Sequence, residues 1–318
     1  MVSFAAVPLP ACAPDFQRDA VADEIHRWIA SEPMTALVNA YGGTLPELGT
    51  GDLLAWLDDF SGEHWDFRRR GNVERDQVQA PTFEADTAAL ILAAATALNL
   101  VDAAHPPHAK YDHLLVLGGL GRACLQRTEY AARLVREGAV SVPEVAALGS
   151  FRPLTGAETS LPGLDGGGYE VDAMDVGIRS GFGFGKPVLR EASTDTAGVT
   201  HSSWEVRTHR EPGLPDVHVL AAPSSEPAGR RANTPDTYEF WARRVSLSPA
   251  DRILVVTSPI YVPFQHCDAI RMLALRHGRG IDTVGFDPAV VAVPPAPGAA
   301  GPDRYLQEIR SAVLSMRA

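Results

Sequence analysis

One feature constrains this chain more than any other: from residue 112 onward, short β-branched apolar runs alternate with amphipathic helical stretches. The runs are His113–Leu117 (HLLVL), Glu144–Leu148, Val217–Ala221, Arg252–Thr257 and Asp282–Phe286. Helical periodicity covers Ala123–Glu137, Thr234–Val245 and Gln265–His277. Runs of about five apolar residues without polar alternation belong to strands buried on both faces. The expected fold is therefore α/β, a Rossmann-like parallel sheet with helices on both faces. Right-handed crossovers bring every strand's carboxyl end to one edge, and ligands of such sheets bind there.

No strand signal precedes residue 112. Asp15–Tyr41 (interrupted by Pro33), Thr50–Phe60 and Thr82–Asn99 read as helices, and His64–Val78, with Arg68-Arg69-Arg70, reads as a loop or exposed helix. The expected organisation is a helical segment 1–110 packed on the core, then an α/β domain 111–288. A Pro-rich tether and a C-terminal helix (Asp303–Met316) follow within 289–318. Gly- and Pro-rich stretches at about 150–169 and 177–215, the latter with a possible strand at His201–Thr208, interrupt the alternation as insertions near the ligand edge. If Trp28, Trp56 and Trp65 formed an exposed patch, the helical segment would be a docking module.

The net charge of -11 argues against a nucleic-acid-binding face but leaves room for a small anion held by local arginines. Three distant cysteines (Cys12, Cys124, Cys267) give neither a disulfide framework nor a zinc spacing, and a reducing cytoplasm fits them. His105-Pro-Pro-His108 lacks a nearby acidic pair, so no metal is expected. No apolar run reaches the roughly 18 residues needed to span a bilayer, so no membrane partner is expected. Oligomeric state is not legible.

Three segments carry candidate chemistry. Gly118 and Gly119, followed by Arg122 and Arg127 in the next helix, form either a tight turn or an anion cradle at a helix N-terminus. Arg230, Arg231, Asn233 and Thr234 precede another helix; Asn233 or Thr234 suits an N-cap, and the arginines suit an anion. Thr257, Ser258 and Tyr261 end a strand, where hydroxyls can bind phosphate or ribose oxygens, although Ser258-Pro259 also suits a plain turn. His266 reads more readily as solvated or capping than as catalytic.

Taken in order, VLGG, Arg127, Glu170 with Met174, RANTPDTYEFWARR and ILVVTSPIYVPFQHCDAIRML resemble the YdcF/SanA-like family over roughly Tyr111–Pro288. The resemblance implies a Rossmann-like domain of unknown function, here a soluble, divergent member with two insertions. It matches Gly118-Gly119, Arg127, Glu170, Asn233-Thr234 and Thr257-Ser258 to the family's motif positions. The histidine and arginine that follow the family's TS pair are replaced by Ile260-Tyr261 and Pro263-Phe264-Gln265. The likeness keeps S-adenosylmethionine or a nucleotide open as a ligand, with the cofactor otherwise unknown. The expected function is hydrolysis or group transfer on a small phosphorylated or nucleoside-like metabolite. Glu170 is the acid/base, with Glu158 and Glu226 in reserve. The alternative is a non-catalytic nucleotide- or S-adenosylmethionine-binding regulatory protein.

Overall fold

The computed structural model describes residues 2–67, 81–193, 198–295 and 300–317; Arg68-Arg69-Arg70 lie outside them. The chain opens with α1 (Arg18–Ile29), α2 (Glu32–Ala40), α3 (Thr50–His64) and α4 (Ala85–Ala97). Pro33 ends the first helical run and sits in the first turn of α2, where its missing N–H costs nothing. The α/β part then runs β1 (His113–Leu117), α5 (Gly121–Arg136), β2 (Glu144–Ser150), α6 (Gly156–Thr159), α7 (Glu170–Phe182), β3 (Leu189–Ala192), β4 (Glu205–His209), β5 (Asp216–Ala222), α8 (Thr234–Ala242) and β6 (Arg252–Thr257). It continues through α9 (Val262–Ala269), a π-helical turn (Ile270–Ala274), α10 (Leu275–His277) and β7 (Gly280–Gly285), and the chain closes with α11 (Pro302–Arg317).

The strands form one seven-stranded sheet in the order β3-β4-β5-β2-β1-β6-β7. β5, β2, β1, β6 and β7 are mutually parallel, whereas β3 and β4 add antiparallel at one edge. The fold is thus Rossmann-like, and the parallel strands, counted along the chain, lie in the order 3-2-1-4-5. Their order reverses between β1 and β6, which makes that crevice the topological switch point.

Both faces are covered, which explains why β1 is apolar at consecutive positions. Leu114 and Val116 face a core shared with α5 and α7. Leu115 and Leu117 face the opposite core, with Tyr238 and Trp241 of α8 and Ala269 at the end of α9. The helices α1–α4 and α11 form a third core on the outer side of α9, where Trp28 and Trp65 are fully buried and Trp56 is partly buried. These tryptophans therefore present no exposed docking patch. Arg310 of α11 ties this body together, donating to the Asp58 carbonyl at 2.8 Å and to Ser61 Oγ at 2.8 Å.

Two segments differ from the sequence expectation. The stretch expected to begin a loop at residue 177 lies inside α7. Gly177 and Gly181 are there because α7 crosses α5 closely: a Cβ at Gly177 would collide with Thr128 Oγ1, and one at Gly181 would lie 2.8 Å from Ala132 Cβ. The tether after β7 is pinned along α5, where Gln126 Nε2 donates to the Val293 carbonyl at 2.8 Å and Arg122 Nη1 donates to the Pro294 carbonyl at 2.7 Å. Among the described residues, no helix is long and apolar enough to cross a membrane.

Candidate functional site

The carboxyl ends of β1 and β6 are joined by one buried side chain. Arg127 Nε donates to Ser258 Oγ at 3.0 Å, and Nη1 donates to the carbonyls of Leu117 (2.9 Å) and Gly118. Its guanidinium also lies over the Tyr261 ring, 5.6 Å from the centroid. Gly118, Gly119, Arg127, Ser258 and Tyr261 are thereby brought together at the switch point.

The two glycines are needed for close approach rather than for a left-handed backbone, since neither has a positive φ. A Cβ at Gly118 would land on Glu170 Oε1 and lie 2.7 Å from the Leu148 carbonyl oxygen. One at Gly119 would meet Arg127 Nη1 at 3.4 Å. The turn is thus held between a carboxyl and a guanidinium.

Glu170 begins α7 and is buried at 8% exposure. It accepts a 2.5 Å hydrogen bond from Ser150 Oγ, the last residue of β2, and another from the Gly119 N–H. Burial pushes its pKa up, opposed by those bonds and by the charges of Arg152 and Arg127. Cys124 lies in the same surroundings, its Sγ directed to the Gly119 carbonyl at 3.3 Å. Burial, reinforced by the Glu170 charge, pushes that thiol up to about 12, so it is no nucleophile at neutral pH.

Ser150 and Arg152 were not singled out from sequence. The available signal was position: β2 neighbours β1, so residues ending β2 reach the same edge. Arg152 Nη2 donates to the Gly119 carbonyl at 2.8 Å and to Glu158 Oε1 at 2.7 Å. Glu158 in turn closes the N-terminus of α5, its Oε1 accepting the Gly121 N–H at 2.6 Å. Burial opposes ionisation of Glu158, but the Arg152 pair and the N–H groups of Thr155 and Gly121 outweigh it and hold the pKa down at about 2. One N–H of the anion seat read from GGLGR, that of Gly121, is therefore taken by the chain's own carboxylate.

The second segment behaves similarly. Asn233 caps α8 through a reciprocal box, its side chain accepting from Asp236 N–H at 3.2 Å while Asp236 Oδ2 accepts the Asn233 N–H at 2.9 Å. Thr234 is half-buried, and its carbonyl accepts from Thr237 Oγ1. Arg230 binds Asp236 at 2.5 Å and Glu226 at 3.3 Å, whereas Arg231 is exposed. Arg122 points away, toward the tether. Thr257 is fully buried with Oγ1 lacking a hydrogen-bond partner among the described residues. His266 is buried rather than solvated: Nδ1 lies 3.0 Å from Thr283 Oγ1 and Nε2 2.8 Å from the Pro10 carbonyl. Both ring nitrogens tie the leading segment to β7. His108 faces Asp282 at 3.8 Å, and among the described residues no group of three or more His, Cys, Asp or Glu is arranged to hold a metal ion.

Fold and site together define a Rossmann-like α/β protein with a buried acid and two arginines at its switch point. The Rv3785 N-terminal domain family matches residues 12–99, the helical segment. The uncharacterized proteins Rv3785 of Mycobacterium tuberculosis (strain ATCC 25618 / H37Rv) and Mb3814 of Mycobacterium bovis are each 28% identical to this chain over 339 residues, covering 94% of it and 89% of the relative. No solved structure matches. These findings correct the YdcF/SanA-like resemblance: similarity runs to the Rv3785 proteins along almost the whole chain, and the matching family lies outside Tyr111–Pro288. Short glycine turns and capped helices at a parallel sheet's carboxyl edge serve the fold in general, which is why such motifs can mimic a particular family.

Proposed function

We propose that this protein is an enzyme acting on a small anionic or nucleoside-like metabolite by hydrolysis or group transfer at the β1–β6 switch point. Glu170 is the acid/base. The observation that carries the reading is a buried carboxyl at the carboxyl edge, shifted toward the protonated form and bonded to a hydroxyl and a backbone N–H. A carboxyl whose pKa is raised by burial keeps its proton to higher pH than an exposed one, as a general acid requires. Arg127 and Arg152 position the glycine turn beside it.

Native mass spectrometry of the purified protein, searched for a co-purifying small molecule, supplies the ligand for the test. Glu170→Gln should then reduce turnover by about 100-fold or more while leaving ligand affinity near wild type. A Gln variant with the wild-type rate would sink the reading.

One observation favours a second reading, a non-catalytic regulatory protein that binds a nucleoside-type ligand. The N-termini of both α5 and α8 are closed by internal carboxylates, Glu158 and Asp236. Seats closed in this way favour recognition of a neutral group over handling of a phosphoryl group. Saturable binding with no turnover in the wild-type protein is the outcome that would select it.

A further inference from the structure

The two sides of the switch point treat their polar groups differently. On the α5–α7 side, Glu170, Arg127, Arg152 and Glu158 all have hydrogen-bond partners. On the α8–α9 side, Thr257 Oγ1, Tyr238 Oη and Gln265 Oε1 are buried with no hydrogen-bond partner among the described residues. A buried hydroxyl or amide without a bond costs roughly 1–3 kcal/mol, so native folds seldom leave such groups unsatisfied.

All three groups lie on the α8–α9 side of the sheet. Along β6, Ile253 and Val255 face the α8–α9 core while Leu254 and Val256 face the other side, so Thr257 continues the alternation toward α8 and α9. Tyr238 packs in that same core with Leu117 of β1 and with Ala269 and Ile270. Gln265 and Asp268, three residues apart, lie on one face of α9.

The donor and acceptor types select the ligand. The amide oxygen of Gln265 only accepts, and the Tyr238 and Thr257 hydroxyls both donate and accept. Asp268, already bonded to Arg271 at 2.5 Å, adds a further acceptor. A phosphate brings only acceptors at its charged oxygens, whereas carbon-bound hydroxyls donate as well as accept. We propose that Tyr238, Thr257 and Gln265 hold the hydroxyl groups of a neutral polyol, a ribose-like ring, at the α8–α9 side of the switch point. This rests on the reading of the β1–β6 edge as a ligand site, and it names the part of the ligand that this side takes.

The test uses the full chain and two probes, D-ribose and adenosine, titrated by ligand-observed NMR against wild type, Tyr238→Phe and Thr257→Val. Both substitutions remove a hydroxyl with little change of volume. At least one probe should bind wild type, and each variant should weaken it about tenfold, the loss expected for one hydrogen bond to a ligand. The melting temperature of each unliganded variant should be unchanged or higher. The proposal is overturned if neither probe binds, if the variants bind as wild type does, or if their unliganded melting temperatures fall by several degrees; the last would assign the hydroxyls to the fold, through enclosed water. Glu170→Gln separates this proposal from the enzymatic one: it should keep polyol binding whatever it does to turnover.

Discussion

Helix α7 carries acids to two different places, and the two places differ in how the charge is met. At its start, Glu170 reaches the switch point and accepts from Ser150 Oγ and the Gly119 N–H. Further along, Asp172 and Asp175 reach β4, where Arg207 lies 2.7 Å and 3.8 Å away. Arg207 also holds Glu205, and His209 Nε2 lies 2.8 Å from Asp175 Oδ1. At β4 guanidinium and carboxylates satisfy one another, and the Glu205 carboxyl is held below its ordinary range: burial opposes this, but Arg207 and Arg190 outweigh it. At the switch point Arg127 and Arg152 bond to the backbone carbonyls of Leu117, Gly118 and Gly119, and the Glu170 carboxyl is pushed up. The same helix thus carries one set of acids that secures an antiparallel edge and one acid that burial holds toward its protonated form.

The largest expected effect breaks the β4 set. Arg207→Met leaves Asp175 and Glu205 buried, and Asp172 half-buried, without their shared cation, and should cost about 3–5 kcal/mol in urea unfolding. A cost below about 1 kcal/mol would mean that these acids relax into solvent and that the contrast with Glu170 is not one of structure against chemistry.

The next effect sharpens the switch-point side. Glu158 ionises at about 2 in the fold against an ordinary 4.5. Its lowered pKa contributes stability that is complete above about pH 4.5 and is lost as pH falls toward 2. Glu158→Gln should therefore lose about 3 kcal/mol at neutral pH, and the gap to wild type should close on acidification through that window. A gap that stays constant with pH would point to lost packing instead of lost charge.

Much of this architecture is legible in the sequence because burial on both sheet faces forces consecutive apolar residues. HLLVL and RILVVT mark β1 and β6 at their observed bounds. Helix α7 escapes the same reading because Gly177 and Gly181, which look like loop residues in one dimension, are the small surfaces on which α5 crosses it. Part of the site is legible for a related reason. Gly118 and Ser258 fall just after strand ends, where local rules apply. Glu158 as the occupant of the α5 N-terminus is not, because 37 residues separate it from Gly121 and only the path of the loop after β2 brings it back. Arg152 is hidden in the same way, as its meaning lies in the Gly119 carbonyl on the neighbouring strand's turn.

The smallest effect on stability bears most directly on the comparison. Because burial raises the Glu170 pKa, the folded state favours the protonated carboxyl. That preference stabilises the fold fully below the unfolded value of about 4.5, and the stabilisation is lost as pH rises through the folded pKa. Glu170→Gln keeps the neutral shape and cannot ionise. Near pH 4 it should match wild type within about 0.5 kcal/mol, and near pH 8 it should be the more stable protein in urea unfolding. A variant more stable at high pH and impaired in turnover would show a residue kept for chemistry at the expense of the fold, the reverse of what Arg207 does for the next acids along α7. A variant less stable than wild type at every pH would place Glu170 with Asp172 and Asp175, among the acids that hold the sheet together.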